Sequence, residues 1–310
     1  MGLIRRALLW GSDSAWLRRR VEGHPLLRAR VSRLIPEEAA DAALAARVLQ
    51  THGIGAVLTR LGGQVSEPRQ AEQSTAEHLA VLHRVARSGL DAHISVKLTQ
   101  LGLNVSAALC DGNLQRLVRR AAELRNSVAI DMEGPGSVEA TIEAYRRARA
   151  VSPNIRLCLQ AYLRRTAADV ASLLPLAPAI LLVKGGFTGT GEGAFRHERD
   201  VRANYVSLAT RLLQEQRRGT GTRAAFATHD GPLIEQLTEI AAREGLPAGA
   251  VEFLMVYGVH PDEQLRLARA GYRVRALISF GPDWFPWYMR RLAARPANLL
   301  LVLRSMCEDQ

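Results

Sequence analysis

Residues 179–186 read AILLVKGG, which is five apolar residues followed by one lysine and two glycines. A short apolar run bounded by glycine predicts a strand buried on both faces, as strands of parallel sheets are. Seven other stretches have a similar form. They are IGAVLTRL (54–61), HISVKLTQ (93–100), SVAIDME (127–133), IRLCLQAY (155–162), RAAFATHD (223–230), VEFLMVYG (251–258) and YRVRALISF (272–280).

Helix-like segments follow all of these runs except the last, for example residues 68–89 and 261–271. Eight strand-like runs alternating with helices predict the α/β class and a (β/α)8 barrel over residues 51–310. An open doubly wound sheet is the alternative, but no GxGxxG follows the first strand. Residues 1–50 are predicted to form an N-terminal helical segment that packs on the barrel.

Composition bears on the partners and the compartment. The net charge is +11, but only two of the 41 basic residues are lysine, Lys97 and Lys184, and the arginines are scattered over many predicted helices. Without a recognisable nucleic-acid motif, this scatter argues against nucleic acid as a partner. Cys110, Cys158 and Cys307 are far apart and lack metal-ligand spacing, so we expect no metal and a cytoplasmic location.

The first 35 residues are basic and rich in leucine. The interpretation of this segment as a targeting peptide is weakened by Asp13, Glu22 and the lack of a small-residue cleavage site. Helices that pack on the domain are favoured, with peripheral contact to an anionic inner membrane as a further use.

Polar residues stand at the ends of the predicted strands. Because active sites of such barrels lie at the carboxyl ends of the strands, we expect these side chains to meet at one mouth. The residues are Lys97, Asp131, Glu133, Gln160, Tyr162, Lys184, His229, Asp230, Tyr257 and His260.

Three of these sites each allow two interpretations. Lys97 and Asp131 predict an ion pair that is either functional or structural. The sequence Lys184–Gly185–Gly186 either brings an ammonium and bare backbone to a phosphate or ring, or merely permits a turn. Residues 228–230 read THD, where a catalytic His–Asp dyad is disfavoured and Asp230 is predicted to cap the next helix.

Arg290 and Arg291 follow a run of aromatic residues in WFPWYMRRLAARPANLL (284–300). Adjacent helical residues point about 100° apart. The pair is therefore either an ordinary solvated face or two guanidinium groups that reach one anion.

Seven of these segments together resemble one family. They are ISVKLTQLGL, IDMEGP, LCLQAYLRRT, LLVKGGF, AFATHD, EFLMVYGV and YMRRLAARPANLLLVLRS. They are similar to the flavin-dependent proline dehydrogenases, particularly the short monofunctional bacterial type. The resemblance implies a distorted (β/α)8 barrel that holds FAD, oxidises L-proline and passes the electrons to a membrane quinone.

The resemblance also implies roles for individual residues. Arg290 and Arg291 match the arginines that clamp the substrate carboxylate, while Lys97 and its partner Asp131 match residues lining the substrate site. The residues expected at the flavin are Gln160, Lys184, Gly185, Gly186, Thr228, His229 and Leu181. The residues expected as pocket walls are Tyr257, Trp287 and Leu277.

The chain departs from the family pattern at several of these positions. Leu181 replaces an arginine near the flavin, and Ala294 stands where a glutamate belongs. Leu277 and Trp287 replace tyrosines, and Gly134–Pro135 replaces the usual Asp–Ser. The expected substrate is therefore proline or a related amino or imino acid. The alternatives are a recruited enzyme for another carboxylated secondary amine or hydrazine-type amino acid, with oxygen as acceptor, and a catalytically silent relative.

Overall fold

The computed structural model describes residues 36–185 and 193–285, together with Ser14, Trp16, Arg20 and Met289. Eight parallel strands form a closed barrel in chain order, with each strand hydrogen-bonded to the next in sequence. This confirms the predicted barrel and excludes the open sheet. The strands are β1 Ile54–Arg60, β2 Ala92–Val96, β3 Val128–Ile130, β4 Ile155–Gln160, β5 Ala179–Val183, β6 Arg223–Ala227, β7 Glu252–Val256 and β8 Arg273–Phe280.

One helix precedes β1, and one helix occupies each stretch between consecutive strands, as the alternating pattern predicts. They are α1 Ala39–Gln50, α2 Pro68–Arg87, α3 Ala107–Glu123, α4 Val138–Val151, α5 Thr166–Leu173, α6 Glu198–Arg217, α7 Gly231–Arg243 and α8 Pro261–Arg269. Short 3-10 turns cover Leu98–Gln100, Pro135–Ser137, Leu174–Leu176 and Ala248–Ala250. Local signals start several helices: Pro68 and Pro261 occupy first positions, and the Ser106 side chain accepts a bond from the Leu109 amide.

The barrel interior is identified by an ion-pair cluster at the amino ends of the strands. Arg156 on β4 and Arg275 on β8 both pair with Glu252 on β7, and the Arg275 Nε–Glu252 Oε2 distance is 3.5 Å. Strands β4 and β7 are not neighbours, so the Arg156–Glu252 contact must cross the inside of the barrel. Although burial alone would raise the pKa of Glu252, the two arginines hold it below its ordinary value.

Side chains alternate along a strand, so residues at even spacing from this cluster also face inward. On β4 these are Cys158 and Gln160, and on β8 they are Leu277 and Ser279. Laterally paired residues share a face, which places Leu181 inside beside Cys158.

The chain divides into two compact units. The larger comprises residues 43–59 and 64–278, and the smaller comprises residues 1–42, 60–63 and 279–310. Within the smaller unit, the Leu61 amide donates to the Phe280 carbonyl at 2.6 Å and the Gly281 amide donates to the Pro36 carbonyl at 3.2 Å. The assignment of residues 1–50 as a separate helical segment stays a prediction.

The buried thiols of Cys110 and Cys158 form no disulfide, and burial raises the pKa of each to about 12. Among the described residues, no group of three or more His, Cys, Asp or Glu side chains is arranged to hold a metal ion. Over the same part of the chain, no helix is both long and apolar enough to cross a bilayer.

Candidate active site at the carboxyl ends of the strands

Lys97 and Asp131 follow β2 and β3 and lie side by side at the barrel mouth. Lys97 Nζ is 3.8 Å from Asp131 Oδ2, and both side chains are 28% exposed. The Ser95 hydroxyl donates to the same oxygen at 3.2 Å. Burial raises the pKa of the Asp131 carboxyl and Glu133 adds to this, whereas Lys97 and Ser95 act in the opposite direction. The pair is thus a half-buried charged site and not a solvated surface contact.

Glu133 connects three neighbouring strand ends. Its carboxylate accepts bonds from the backbone amide of Thr99 at 3.1 Å and from the Thr99 hydroxyl at 2.7 Å. The side-chain amide of Gln160, at the end of β4, donates to the carbonyls of Met132 at 3.0 Å and Glu133 at 3.3 Å. The ends of β2, β3 and β4 are therefore tied together around the Lys97–Asp131 pair.

Gln160 also provides a test of whether the mouth fits a flavin. The residue is 4% exposed, and within the described chain its Oε1 atom has no hydrogen-bond partner. Because the NH₂ group is held by two carbonyls, Oε1 is the end left over as an acceptor. An isoalloxazine ring carries an N–H donor on its edge, so this residue fits the predicted cofactor.

Lys184 is engaged in a second charged cluster beyond the ends of β5 and β6. Its Nζ lies 2.8 Å from Asp230 Oδ2 and 3.6 Å from Glu198 Oε1. Arg202 from α6 approaches the same Asp230 oxygen at 2.7 Å. Two cations thus share one carboxylate oxygen, and Glu198 is 85% exposed. The predicted contact of Lys184 with the flavin stays a prediction.

Asp230 is the N-cap of α7, as the sequence predicts. Its Oδ1 accepts from the Leu233 amide at 3.1 Å, and its own amide donates to the Thr228 hydroxyl at 3.1 Å. Burial alone would raise the pKa of Asp230, but Lys184, Arg202 and the Leu233 amide together lower it below its ordinary value.

This cluster makes a pH-dependent contribution to stability. Asn caps a helix about as well as Asp but carries no charge, so Asp230→Asn should lower the free energy of unfolding at pH 7 by about 1–2 kcal/mol. Since the folded-state pKa is depressed, the contribution is present above the unfolded-state pKa and is lost as pH falls through the folded-state pKa. Urea unfolding of both proteins across pH 2–7 should therefore converge at the acid end.

The matched control is Asp262→Asn, an exposed aspartate in the first turn of α8. We expect it to change stability by less than about 0.5 kcal/mol at any pH. A difference between Asp230→Asn and the parent that persists unchanged at low pH would contradict this account.

Thr228 and His229 directly follow β6, and the ring of His229 is hydrogen-bonded to the neighbouring strand β7. The Val256 backbone amide donates to His229 Nε2 at 3.2 Å, so in the neutral ring the proton resides on Nδ1. The His229 and His260 rings lie 6.2 Å apart. Asp230 caps α7 and pairs with Lys184 and Arg202, and the prediction that it forms no catalytic dyad with His229 stays a prediction.

Gly185 lies directly against the ring of Tyr162. Its φ is +99°, and a Cβ at this position would be 2.2 Å from Tyr162 Cδ1. The Tyr162 amide donates to the Lys184 carbonyl at 3.0 Å, which fixes the two segments together. The positive φ and the close aromatic contact both favour glycine here, and the alternative that this segment also approaches a ligand stays a prediction.

The mouth has a polar half and an apolar half. Strands β1 to β4 contribute inward polar residues near their ends, whereas β5 to β7 contribute apolar ones and β8 contributes Leu277 followed by Ser279. The polar residues are Thr59, Ser95, Lys97, Asp131 and Gln160, and the apolar residues are Leu181, Val183, Ala225, Ala227, Leu254, Val256 and Leu277. A ligand with one charged and one apolar side matches this division.

Leu181, which is predicted to lie at the flavin, and Leu277, which is a predicted pocket wall, both lie on the apolar side. Leu181 is buried at 6% exposure, and Leu277 is half-buried. Tyr257 follows β7, is half-buried, and donates its backbone amide to the Leu277 carbonyl at 3.0 Å. The role of Leu181 at the flavin and the roles of Leu277 and Tyr257 as walls of a substrate pocket stay predictions.

Four predicted site residues lie outside the described residues, namely Gly186, Trp287, Arg290 and Arg291. Sequence reasoning missed Ser95, although it lies two residues before Lys97 and so on the same face of the strand. It also missed Arg202, for which no local signal exists because the residue belongs to a helix 28 positions before Asp230.

Comparison with known proteins gives consistent matches. A family model described as proline dehydrogenase matches residues 42–294. Proline dehydrogenase 1 of Bacillus subtilis subsp. natto is 33% identical over 258 residues, which are 83% of this chain and 84% of that protein. The proline dehydrogenase of Deinococcus radiodurans is 30% identical over 280 residues, covering 88% and 89%.

Among solved structures, proline utilization A from Bdellovibrio bacteriovorus, inactivated by N-propargylglycine, superposes with a TM-score of 0.78 at 19% identity. The match covers 94% of this chain but only 36% of that protein, so this chain spans about a third of its length. At this identity the likeness concerns the barrel fold.

Proposed function

This chain belongs to the proline dehydrogenase family of oxidoreductases that act on CH–NH groups, and we propose that it oxidises the C–N bond of L-proline or a closely related amino or imino acid. The observation that carries the proposal is the Lys97–Asp131 pair, held at 3.8 Å on converging strand ends. It stands beside an apolar half-ring that suits the carbon skeleton of such a substrate.

We assign FAD as the cofactor. When bound, it supplies N5 as the hydride acceptor. The residues proposed to hold it are Gln160, Lys184, Gly185, Gly186, Thr228, His229 and Leu181. Within the described part of the chain, the Oε1 atom of Gln160 has no hydrogen-bond partner, so it offers an acceptor to the N–H group on the isoalloxazine edge.

The chain's own residues position the substrate and control its protonation. Arg290 and Arg291 are proposed to grip the carboxylate, because guanidinium groups match a carboxylate with paired charge-assisted bonds. The Lys97 ammonium disfavours a second positive charge nearby and so favours the neutral amine, the form that can release hydride. Asp131, which accepts a bond from the Ser95 hydroxyl, places a negative charge beside the Lys97 ammonium.

A second candidate follows from the apolar half of the mouth. Leu181 and Leu277 face the interior of the barrel on this side. A larger carboxylated secondary amine or a hydrazine-type amino acid would bury more apolar surface there. In either case the electron acceptor is proposed to be a quinone, with oxygen as the alternative.

Anaerobic flavin bleaching tests the proposal. The purified holoprotein should lose its visible flavin absorbance when it is mixed with L-proline. Under the second candidate function, bulkier N-substituted amino acids should bleach the flavin faster than L-proline does. L-Prolinamide is the matched control, since it keeps the ring and the amine but lacks the carboxylate. Absence of bleaching by every carboxylated amine in the panel would refute the function, and equal bleaching by prolinamide would refute the arginine clamp.

A further inference from the structure

We propose that Glu133 is a positioning residue, which sets the Lys97 ammonium against Asp131 through two hydrogen bonds to Thr99. The inference rests on the proposed function for its kinetic consequence. Its geometric content, the placement of one lysine side chain, can be measured without turnover.

The contacts run from Glu133 to the turn that carries Lys97. Thr99 is 5% exposed and gives both its backbone amide and its hydroxyl to the Glu133 carboxylate, at 3.1 Å and 2.7 Å. It belongs to the 3-10 turn that begins directly after Lys97, and the Gln100 amide of that turn donates to the Lys97 carbonyl at 3.0 Å. A shift of Thr99 therefore moves the backbone of Lys97.

Glu133 is itself fixed from the other side. Its carbonyl and that of Met132 both accept from the buried Gln160 amide, at 3.3 Å and 3.0 Å. Asp131 lies two residues away on the same segment, and its amide donates to the Val96 carbonyl at 2.9 Å. One short segment thus carries the carboxylate of the pair and also holds the turn that directly follows Lys97.

The need for such a clamp follows from the pair's own geometry. At 3.8 Å between Nζ and Oδ2 the ion pair is longer than a good hydrogen bond and does not orient the lysine by itself. A flexible lysine side chain therefore takes its position largely from its backbone. Because misplacing a reacting group by about 1 Å costs roughly a hundredfold in rate, the Glu133–Thr99 bonds become relevant to turnover.

A positioning role and a charge role for Glu133 predict different results for one pair of variants. Glu133→Gln keeps the length and can still bond both Thr99 groups, since its oxygen accepts from the amide and its NH₂ group donates to the hydroxyl oxygen. Glu133→Ala loses both bonds. If the residue acts by position, Gln should retain kcat within about threefold, whereas Ala should lose about 10- to 100-fold with flavin content preserved.

Thr99→Val removes only the hydroxyl bond and should fall between these two. The double variant Glu133→Ala/Thr99→Val should be no worse than Glu133→Ala, because both changes disable the same contact. The matched controls act at the opposite end of the barrel. Thr222→Val removes a buried hydroxyl that accepts from Thr220, and Glu244→Ala removes a half-buried carboxylate that accepts from Gln214.

The chain offers a direct readout of position because Lys97 and Lys184 are its only lysines. Labelling with ¹³Cε-lysine gives two side-chain NMR signals, assigned by loss of one in Lys184→Arg. In the holoprotein, Glu133→Ala should shift or broaden the Lys97 signal and leave the Lys184 signal in place. Glu133→Gln should restore the parent position, and neither control should move it.

The outcomes separate cleanly. An unchanged Lys97 signal in Glu133→Ala, or kinetics as poor in Gln as in Ala, would overturn the positioning role. If no amine in the panel reduces the flavin of the parent holoprotein, the proposed function fails. The lysine signals still decide whether Glu133 positions Lys97.

Discussion

Lys97→Met should lower kcat/KM for the amine substrate by about 10²- to 10³-fold, the loss typical when one preorganised charged group is removed from an active site. Methionine keeps most of the length and volume but carries no charge. Of its two side-chain partners within residues 36–185 and 193–285, Asp131 would then keep the Ser95 hydroxyl alone for its half-buried carboxylate. Stopped-flow bleaching of the flavin as a function of substrate concentration separates the loss in hydride transfer from any loss in binding.

The same variant has a stability signature with a definite sign. Burial already raises the pKa of Asp131, and removing Lys97 should raise it further. A raised carboxyl pKa opposes folding above the unfolded-state pKa, so Lys97→Met should be most destabilised at neutral pH and recover as pH falls. Arg147→Met, which removes an exposed partner of Asp111, is the surface control. Activity of Lys97→Met within threefold of the parent would show that the pair is only structural.

Gly185→Ala is expected to lower the free energy of unfolding by about 2–5 kcal/mol, combining left-handed strain with overpacking. The residue has a φ of +99°, and the added Cβ would lie 2.2 Å from a ring carbon of Tyr162. Since Gly185 joins β5 to the proposed flavin site, the holoprotein should also retain less flavin per chain. Chemical unfolding and the ratio of flavin to protein absorbance measure the two effects.

Two further variants locate the cause. Gly185→Ala/Tyr162→Ala removes the clash but keeps the strained backbone, so it should be less destabilised than the sum of its single variants. Gly134→Ala is the control, because a Cβ there meets nothing within 4 Å and the backbone φ is −91°. If Gly185→Ala proved as stable as Gly134→Ala, the close contact with Tyr162 would not exist in solution.

Local signals account for what could be predicted about the fold. Each strand is an apolar run ended by polar residues or glycine, and this pattern depends only on neighbours along the chain. The cap at Asp230 was predictable for the same reason, since a capping aspartate bonds the amide three residues later. Once eight strands were counted, convergence of their ends placed Lys97 beside Asp131 without further information.

Contacts between distant segments were beyond such reasoning. Arg156 meets Glu252 across 96 positions, and Arg202 reaches Asp230 from another helix. Which charges pair inside the barrel depends on strand register and on which side chain is long enough to cross, and neither is encoded in a local window.

The amino-acid sequence by itself therefore determined the barrel, the order of its strands and the list of polar residues at its mouth, because alternation and turn chemistry act over a few residues. Only the tertiary structure decided that Glu133 holds the Lys97 turn, that Tyr162 leaves room only for glycine at 185, and that the inward strand residues are polar on β1 to β4 and mainly apolar on β5 to β8. These features arise from the packing of side chains that the closed barrel brings within a few ångströms of one another, however far apart they stand along the chain.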